Sequence, residues 1–150
     1  MDKIKVISYN TFLLPVGILP FTYKKERCKL INKELKSYNI KLLQEIWSFV
    51  NILTPLNYFF SHFYNFKNLN YNKTSYKNYP FYKLIDSGLC IALDNHYNLL
   101  KKEFHCYSYY SMPYRELFIG RGVLYNCVKV NNKIIHLFTT HLTSDQYSIN

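Results

Sequence analysis

Three polar residues stand where apolar runs of the chain give out, and their types could do chemistry together: Asn10, Glu45 and His141. A carboxylate and a carboxamide oxygen are hard donors of the kind that hold Mg2+ or Mn2+. A histidine beside them can protonate or polarise a phosphoryl oxygen. Glu45 is the most informative of the three. It follows Ile40-Lys41-Leu42-Leu43-Gln44 and precedes Ile46-Trp47, so a carboxylate is carried into an apolar run, where it needs a cation, a proton or hydrogen bonds. The alternative is that the buried run stops at Leu43 and Glu45 tops a solvated loop. Asn10 carries weight only through its position, because Tyr-Asn occurs six times in the chain.

These residues need elements to bring them together. Lys3 to Tyr9 predicts a strand, β-branched at its centre and ending at Asn10. A loop with Pro15, Gly17 and Pro20 follows, and Thr22 is placed to cap a helix running to about Tyr38. In that helix Tyr23, Leu30 or Ile31, Leu35 and Tyr38 recur at helical spacing, with Lys24, Lys25, Lys29, Lys33 and Lys36 on the wet face. Asn39 breaks it and the next strand begins at Ile40. Strand, helix and strand in this order predict a crossover unit whose two strands are parallel, with their C-terminal ends on one rim. Asn10 and Glu45 are therefore expected side by side.

Further on, Ser87 to Leu93 reads as a strand opened by Gly88, and Asn98 to Ser111 as another strand region. Val123 to Val130 and Lys133 to Thr140 read as a hairpin turning on Asn131-Asn132, since asparagine tolerates positive φ. His141 is then at a strand exit, whereas His136 falls mid-strand, a packing or surface position. Between these regions, residues 57–82 are rich in Tyr, Phe, Asn and Lys with no clean period. They read as a long surface loop, or as an aromatic, basic stretch suited to a membrane interface or to stacking on bases. The expected architecture is a single α/β layered domain, residues 1–150, with at least five strands.

The composition is globular, with 49% hydrophobic residues. No run approaches the roughly 20 apolar residues of a membrane span, and the charged start Asp2-Lys3-Ile4-Lys5 does not resemble a signal peptide, so a cytoplasmic protein is expected. A formal charge of +10 suits phosphate-bearing partners, nucleic acid or anionic lipid surfaces; an A+T-rich gene would produce the same Lys and Asn excess without function. Cys28, Cys90, Cys106 and Cys127 are widely spaced and read as free buried thiols rather than a zinc site or a disulfide framework. Cys106 beside His105 is a poor dyad, because neighbours on a strand point to opposite faces. The sequence has no Gly-rich phosphate loop, no G-x-S-x-G elbow and no H-E-x-x-H.

Five segments occur in an order that carries a resemblance: Val6-Ile7-Ser8-Tyr9-Asn10-Thr11, Leu43-Gln44-Glu45-Ile46-Trp47, Ser87-Gly88-Leu89-Cys90, Gly120-Arg121-Gly122-Val123 and Phe138-Thr139-Thr140-His141-Leu142. The chain resembles the endonuclease/exonuclease/phosphatase superfamily of the DNase I-like fold. Leu-x-Glu-x-Trp-Ser and Ser-Gly-Leu-Cys look most like its neutral sphingomyelinase branch. The resemblance implies a Mg2+-dependent phosphodiesterase (Mn2+ as the substitute), with Asn10 and Glu45 in the metal site and Glu45 the main ligand. It implies that His141 contacts the scissile phosphate and that Arg121 helps to hold its own segment or, by contacting phosphate, to bind substrate. Sphingomyelin or another phospholipid is the first substrate implied, with peripheral membrane contact, and nucleic acid the second.

The family pattern continues with Gly-Asp-x-Asn and a terminal Asp-His, neither of which this chain contains; Asp145 is too close to His141 to serve. By that template residues 1–150 are an incomplete domain, about the first half of a layered α/β sandwich. They would have little or no turnover alone, or be a non-catalytic remnant that binds lipid, nucleic acid or protein.

Overall fold

The computed structural model describes residues 3–13, 24–46, 70–73, 87–107 and 119–142. Within them the chain order is β1 (Val6–Leu13), α1 (Lys24–Leu35), β2 (Ile40–Ile46), β3 (Asn70–Lys73), β4 (Cys90–Leu93), β5 (Asn98–Cys106), β6 (Gly122–Val130) and β7 (Lys133–Thr140). One sheet has the order β1-β2-β4-β3 and the other β5-β6-β7. β1 and β2 are parallel, as the crossover unit requires, and the other pairings are antiparallel.

The layers follow from the alternation of side chains. β4 is apolar on both faces and β2 is so apart from Lys41 and its polar end, which is what strands buried in the middle of a layered domain need. On one face Ile31 and Leu35 of α1 pack with Leu43, Ile46 and Cys90, flanked by Ile7. On the other, Ile40, Leu89, Ile91 and Leu93 pack against Leu124, Val128, Val130 and Leu137 of the second sheet. Helix, sheet and sheet therefore lie in three layers around two apolar clusters. α1 is shorter than its periodicity predicts. It stops at Leu35, where the Tyr38 amide bonds back to the Leu35 carbonyl at 3.2 Å and Asn39 takes over.

Two further expectations change. Residues 57–82 contain a strand, β3, paired antiparallel with β4 at the edge of the first sheet. Asn70-Tyr71-Asn72-Lys73 has no apolar alternation to announce it, and its pairing comes from the open edge of β4. The rest of that stretch, like Pro15, Gly17, Pro20 and Thr22, lies outside the described residues. β2 also continues past Leu43 to a buried Ile46, so Glu45 sits within the strand rather than on a solvated loop. Cys90 and Cys127 are buried and Cys106 is partly buried, and no disulfide joins them; the side chain of Cys28 lies outside the described ones. The Asn131 turn has φ 55°, as the hairpin reading requires.

One buried residue works against the fold. Asn126 shares the inner face of β6 with Leu124 and Val128, is fully buried, and has no hydrogen-bond partner among the described residues at either carboxamide atom. Its cross-strand neighbour is Lys102, where burial pushes the ammonium below the ordinary lysine range. A buried amide without partners costs about 1–3 kcal/mol, so Asn126→Val is expected to stabilise the chain by about 1 kcal/mol or more. A urea midpoint that falls instead would reveal a partner for the amide, such as a bound water.

Candidate active site

Asn10 and Glu45 come together through the ends of two parallel strands. Asn10 pairs in register with Gln44, and three residues of β1 then span the distance that two of β2 cover, from Asn10/Gln44 to Leu13/Ile46. This is a bulge of one residue, the device that re-aims a side chain at a strand end. Two bulky residues adopt left-handed backbone there, Phe12 with φ 50° and Glu45 with φ 60°. Each such residue costs on the order of 1–3 kcal/mol and persists only where its surroundings hold it. In a regular strand Glu45 would share the helix-facing side with Leu43; its left-handed turn brings Ile46 to that side instead and frees the carboxylate for the rim.

At the rim the two carboxylate oxygens of Glu45 are treated differently. Oε1 accepts a hydrogen bond from Asn10 Nδ2 at 2.8 Å and stands 3.3 Å from His141 Nε2. Oε2 is buried and has no hydrogen-bond partner among the described residues. His141 arrives from the second sheet, just beyond β7, so the site bridges the two layers. Its other ring nitrogen, Nδ1, is hydrogen-bonded to Nη1 of the buried Arg121. A guanidinium can only donate. Nδ1 is therefore the acceptor, and in the neutral ring the proton sits on Nε2, facing Glu45.

The polar surroundings are supplied by neighbours that the sequence did not single out. Gln44 Nε2 bonds to Thr139 Oγ1 at 2.9 Å and to Ser8 Oγ at 3.2 Å, which ties the inner faces of the two sheets directly beneath the site. Thr11 Oγ1 bonds to the Gln44 carbonyl at 2.9 Å, fixing the bulge against β2. Asn10 Oδ1 accepts the Phe12 amide at 3.0 Å and keeps a second lone pair. Gln44 had a signal, a second polar residue at the end of the apolar run; Thr11 and Thr139 stand in the segments that carry the resemblance, but nothing there gave them a role.

An orphaned buried carboxylate oxygen is the observation that a divalent cation would answer. Mg2+ is commonly held by one or two carboxylates, with water and substrate phosphates completing its shell. Glu45 Oε2 and the free lone pair of Asn10 Oδ1 match that donor set. Among the described residues no group of three or more His, Cys, Asp or Glu that could hold a metal ion is gathered, so the protein donors here are one carboxylate and one carboxamide. Arg121 lies behind His141, buried, rather than at an open surface.

No family model matches the sequence, and no curated relative does. Solved structures do match. A β-hairpin deletion mutant of Staphylococcus aureus beta toxin is 18% identical with a TM-score of 0.74, over 97% of this chain and 53% of that one; another structure of that toxin contains bound magnesium ions. Sphingomyelinase C from Streptomyces griseocarneus is 17% identical with a TM-score of 0.68, over 98% and 51%. TDP2 from D. rerio, complexed with a single-strand DNA product, is 16% identical with a TM-score of 0.56, over 97% and 48%. The chain thus spans about half the length of the structures it matches. Over that half its fold is theirs, the DNase I-like α/β sandwich.

Proposed function

We propose that this chain carries the metal-holding part of a Mg2+-dependent phosphodiesterase site, and that its substrate is a phospholipid diester, sphingomyelin first. The observation that carries the reading is the divided Glu45 carboxylate, with Oε1 held by Asn10 and His141 and Oε2 buried and without a partner among the described residues. A cation bound there would act as a Lewis acid on a phosphate oxygen. Glu45 would hold it, Asn10 would keep the carboxylate in place and offer its remaining lone pair, and the Nε2 proton of His141 would stabilise charge building on the phosphate. Arg121 would fix the histidine tautomer, a role its burial suits better than direct contact with substrate. Peripheral contact with a membrane and a cytoplasmic location belong to the same reading; no helix among the described residues is long and apolar enough to cross a membrane.

A second reading, a nuclease-type phosphodiesterase, draws on the charge of +10 and on the likeness to TDP2. Hydrolysis of sphingomyelin vesicles and of plasmid DNA, measured side by side, separates the two. The metal site is tested first by titrating Mn2+ into the chain calorimetrically. Glu45→Gln is expected to weaken binding by more than the roughly 10–100-fold that loss of an outer partner costs. Undiminished binding in a folded Glu45→Gln chain would sink the assignment.

A further inference from the structure

We propose that Arg27 is a positioning residue for the Asn10–Glu45 pair, acting on it through the backbone of Phe12. The proposal rests on the reading of that pair as a metal site, but its structural part can be tested without metal. Arg27 lies in the first turn of α1 and reaches the bulge of β1. Its Nη2 donates to the Thr11 carbonyl at 2.9 Å and its Nη1 to the Phe12 carbonyl at 3.3 Å. The same guanidinium lies 5.3 Å from the centroid of the Phe12 ring. Both arms of a planar fork are thus spent on two successive carbonyls of the bulge, a geometry that a lysine cannot copy.

What Arg27 holds is a conformation that a phenylalanine resists. Phe12 has φ 50° and the residue is 45% exposed, so core packing does not pin it there. In that conformation the Phe12 amide points back at Asn10 and donates to Oδ1 at 3.0 Å. With Oδ1 so engaged, the carboxamide presents Nδ2 to Glu45 Oε1. The sequence of contacts is continuous: guanidinium, Thr11 and Phe12 carbonyls, Phe12 amide, Asn10 carboxamide, Glu45 carboxylate. Without Arg27 the strain at Phe12 is unopposed, the residue relaxes towards extended backbone, and Asn10 is free to rotate away.

A strained Phe12 held by Arg27 allows a rescue that a general role in stability would not. In Arg27→Met, the Asn10 side-chain amide protons, followed by NMR in the metal-free chain, are expected to exchange faster with solvent. Mn2+ binding is expected to weaken about 10–100-fold. Adding Phe12→Gly, which adopts positive φ without strain, is expected to return both readouts to the level of Phe12→Gly alone. Arg27→Lys keeps a cation near the ring but not the fork, and is expected to show the same losses in smaller degree should the Met variant not fold. Unchanged Asn10 exchange in both Arg27 variants, or losses that Phe12→Gly does not repair, would overturn the proposal. Failure of the unaltered chain to bind Mn2+ would remove the metal reading, while Asn10 exchange would still decide the part played by Arg27.

Discussion

Gly122→Ala is expected to destabilise the chain by about 3 kcal/mol, the upper part of the range for overpacking, and to disturb the His141 side of the site. A Cβ at residue 122 would collide with the His105 carbonyl oxygen of the neighbouring strand and lie 2.6 Å from Cζ of Phe104. The carbonyl belongs to the β5–β6 ladder, and the Phe104 ring packs against the core cluster between the sheets, so relief requires the backbone of β6 to move. That backbone is part of the site's support. The Gly122 carbonyl accepts from Thr140 Oγ1 at 3.0 Å, Thr140 precedes His141, and Arg121 precedes Gly122. A shift at Gly122 therefore pulls on both partners of the Arg121–His141 hydrogen bond. Urea unfolding measures the first effect. The imidazole 15N shifts of His141 report the second, because they distinguish a ring protonated at Nε2 from one protonated at Nδ1. An unchanged midpoint together with an unchanged tautomer would mean that the strand pair has room which its geometry denies.

The requirement for glycine at residue 122 also explains one motif that the sequence displays without stating its cause. Gly120-Arg121-Gly122 is recognisable as a pattern, but the close approach of β5 that excludes a side chain is a tertiary fact. The same division runs through the site. The convergence of Asn10 and Glu45 was legible, because a short parallel crossover leaves two strands little choice of where to end. His141 was legible as a strand exit, although nothing local reveals that its strand lies in the other sheet. The left-handed backbone at Phe12 and Glu45 was not legible, since neither residue favours it; it is imposed by the bulge and by the contacts of Arg27 and Asn10. Arg27 was invisible for a simpler reason. It is one cation among many on a basic helix, and only the fold shows that its fork meets two carbonyls. β3 was hidden because a short, polar edge strand is specified by its partner rather than by its own residues.

Asp94→Ala is expected to cost about 3 kcal/mol, and Lys41→Met close to nothing. Lys41 is the largest fully buried side chain of the core, at 1% exposure, and its Nζ meets Asp94 Oδ1 at 3.5 Å. Removing the aspartate leaves an ammonium uncompensated in the interior, for which the usual penalty is about 3–5 kcal/mol; the lower end applies because Asp94 is 29% exposed. Removing the lysine instead leaves a carboxylate that water can reach, and methionine fills the space. In the double variant the penalty of Asp94→Ala should largely vanish, which a double-mutant cycle on urea midpoints would show. Additive losses would mean that the pair is not the reason Asp94 matters.

The pair also bears on the site at the far end of β2. Asn39 donates to Asp94 Oδ2 at 2.7 Å and accepts the Lys5 amide at 2.9 Å, so Asp94, Asn39 and Lys41 together pin the starts of β1 and β2 to the end of β4. A strand that slips by one residue turns every side chain to the opposite face. For β2 that slip would drive Leu43 and Gln44 into each other's environments and carry Glu45 away from both Asn10 and His141. Asp94→Ala is therefore expected to weaken Mn2+ binding as well as stability, and Lys41→Met/Asp94→Ala to recover less of the binding than of the stability, because it restores the charge balance of the core but not the hydrogen bond from Asn39.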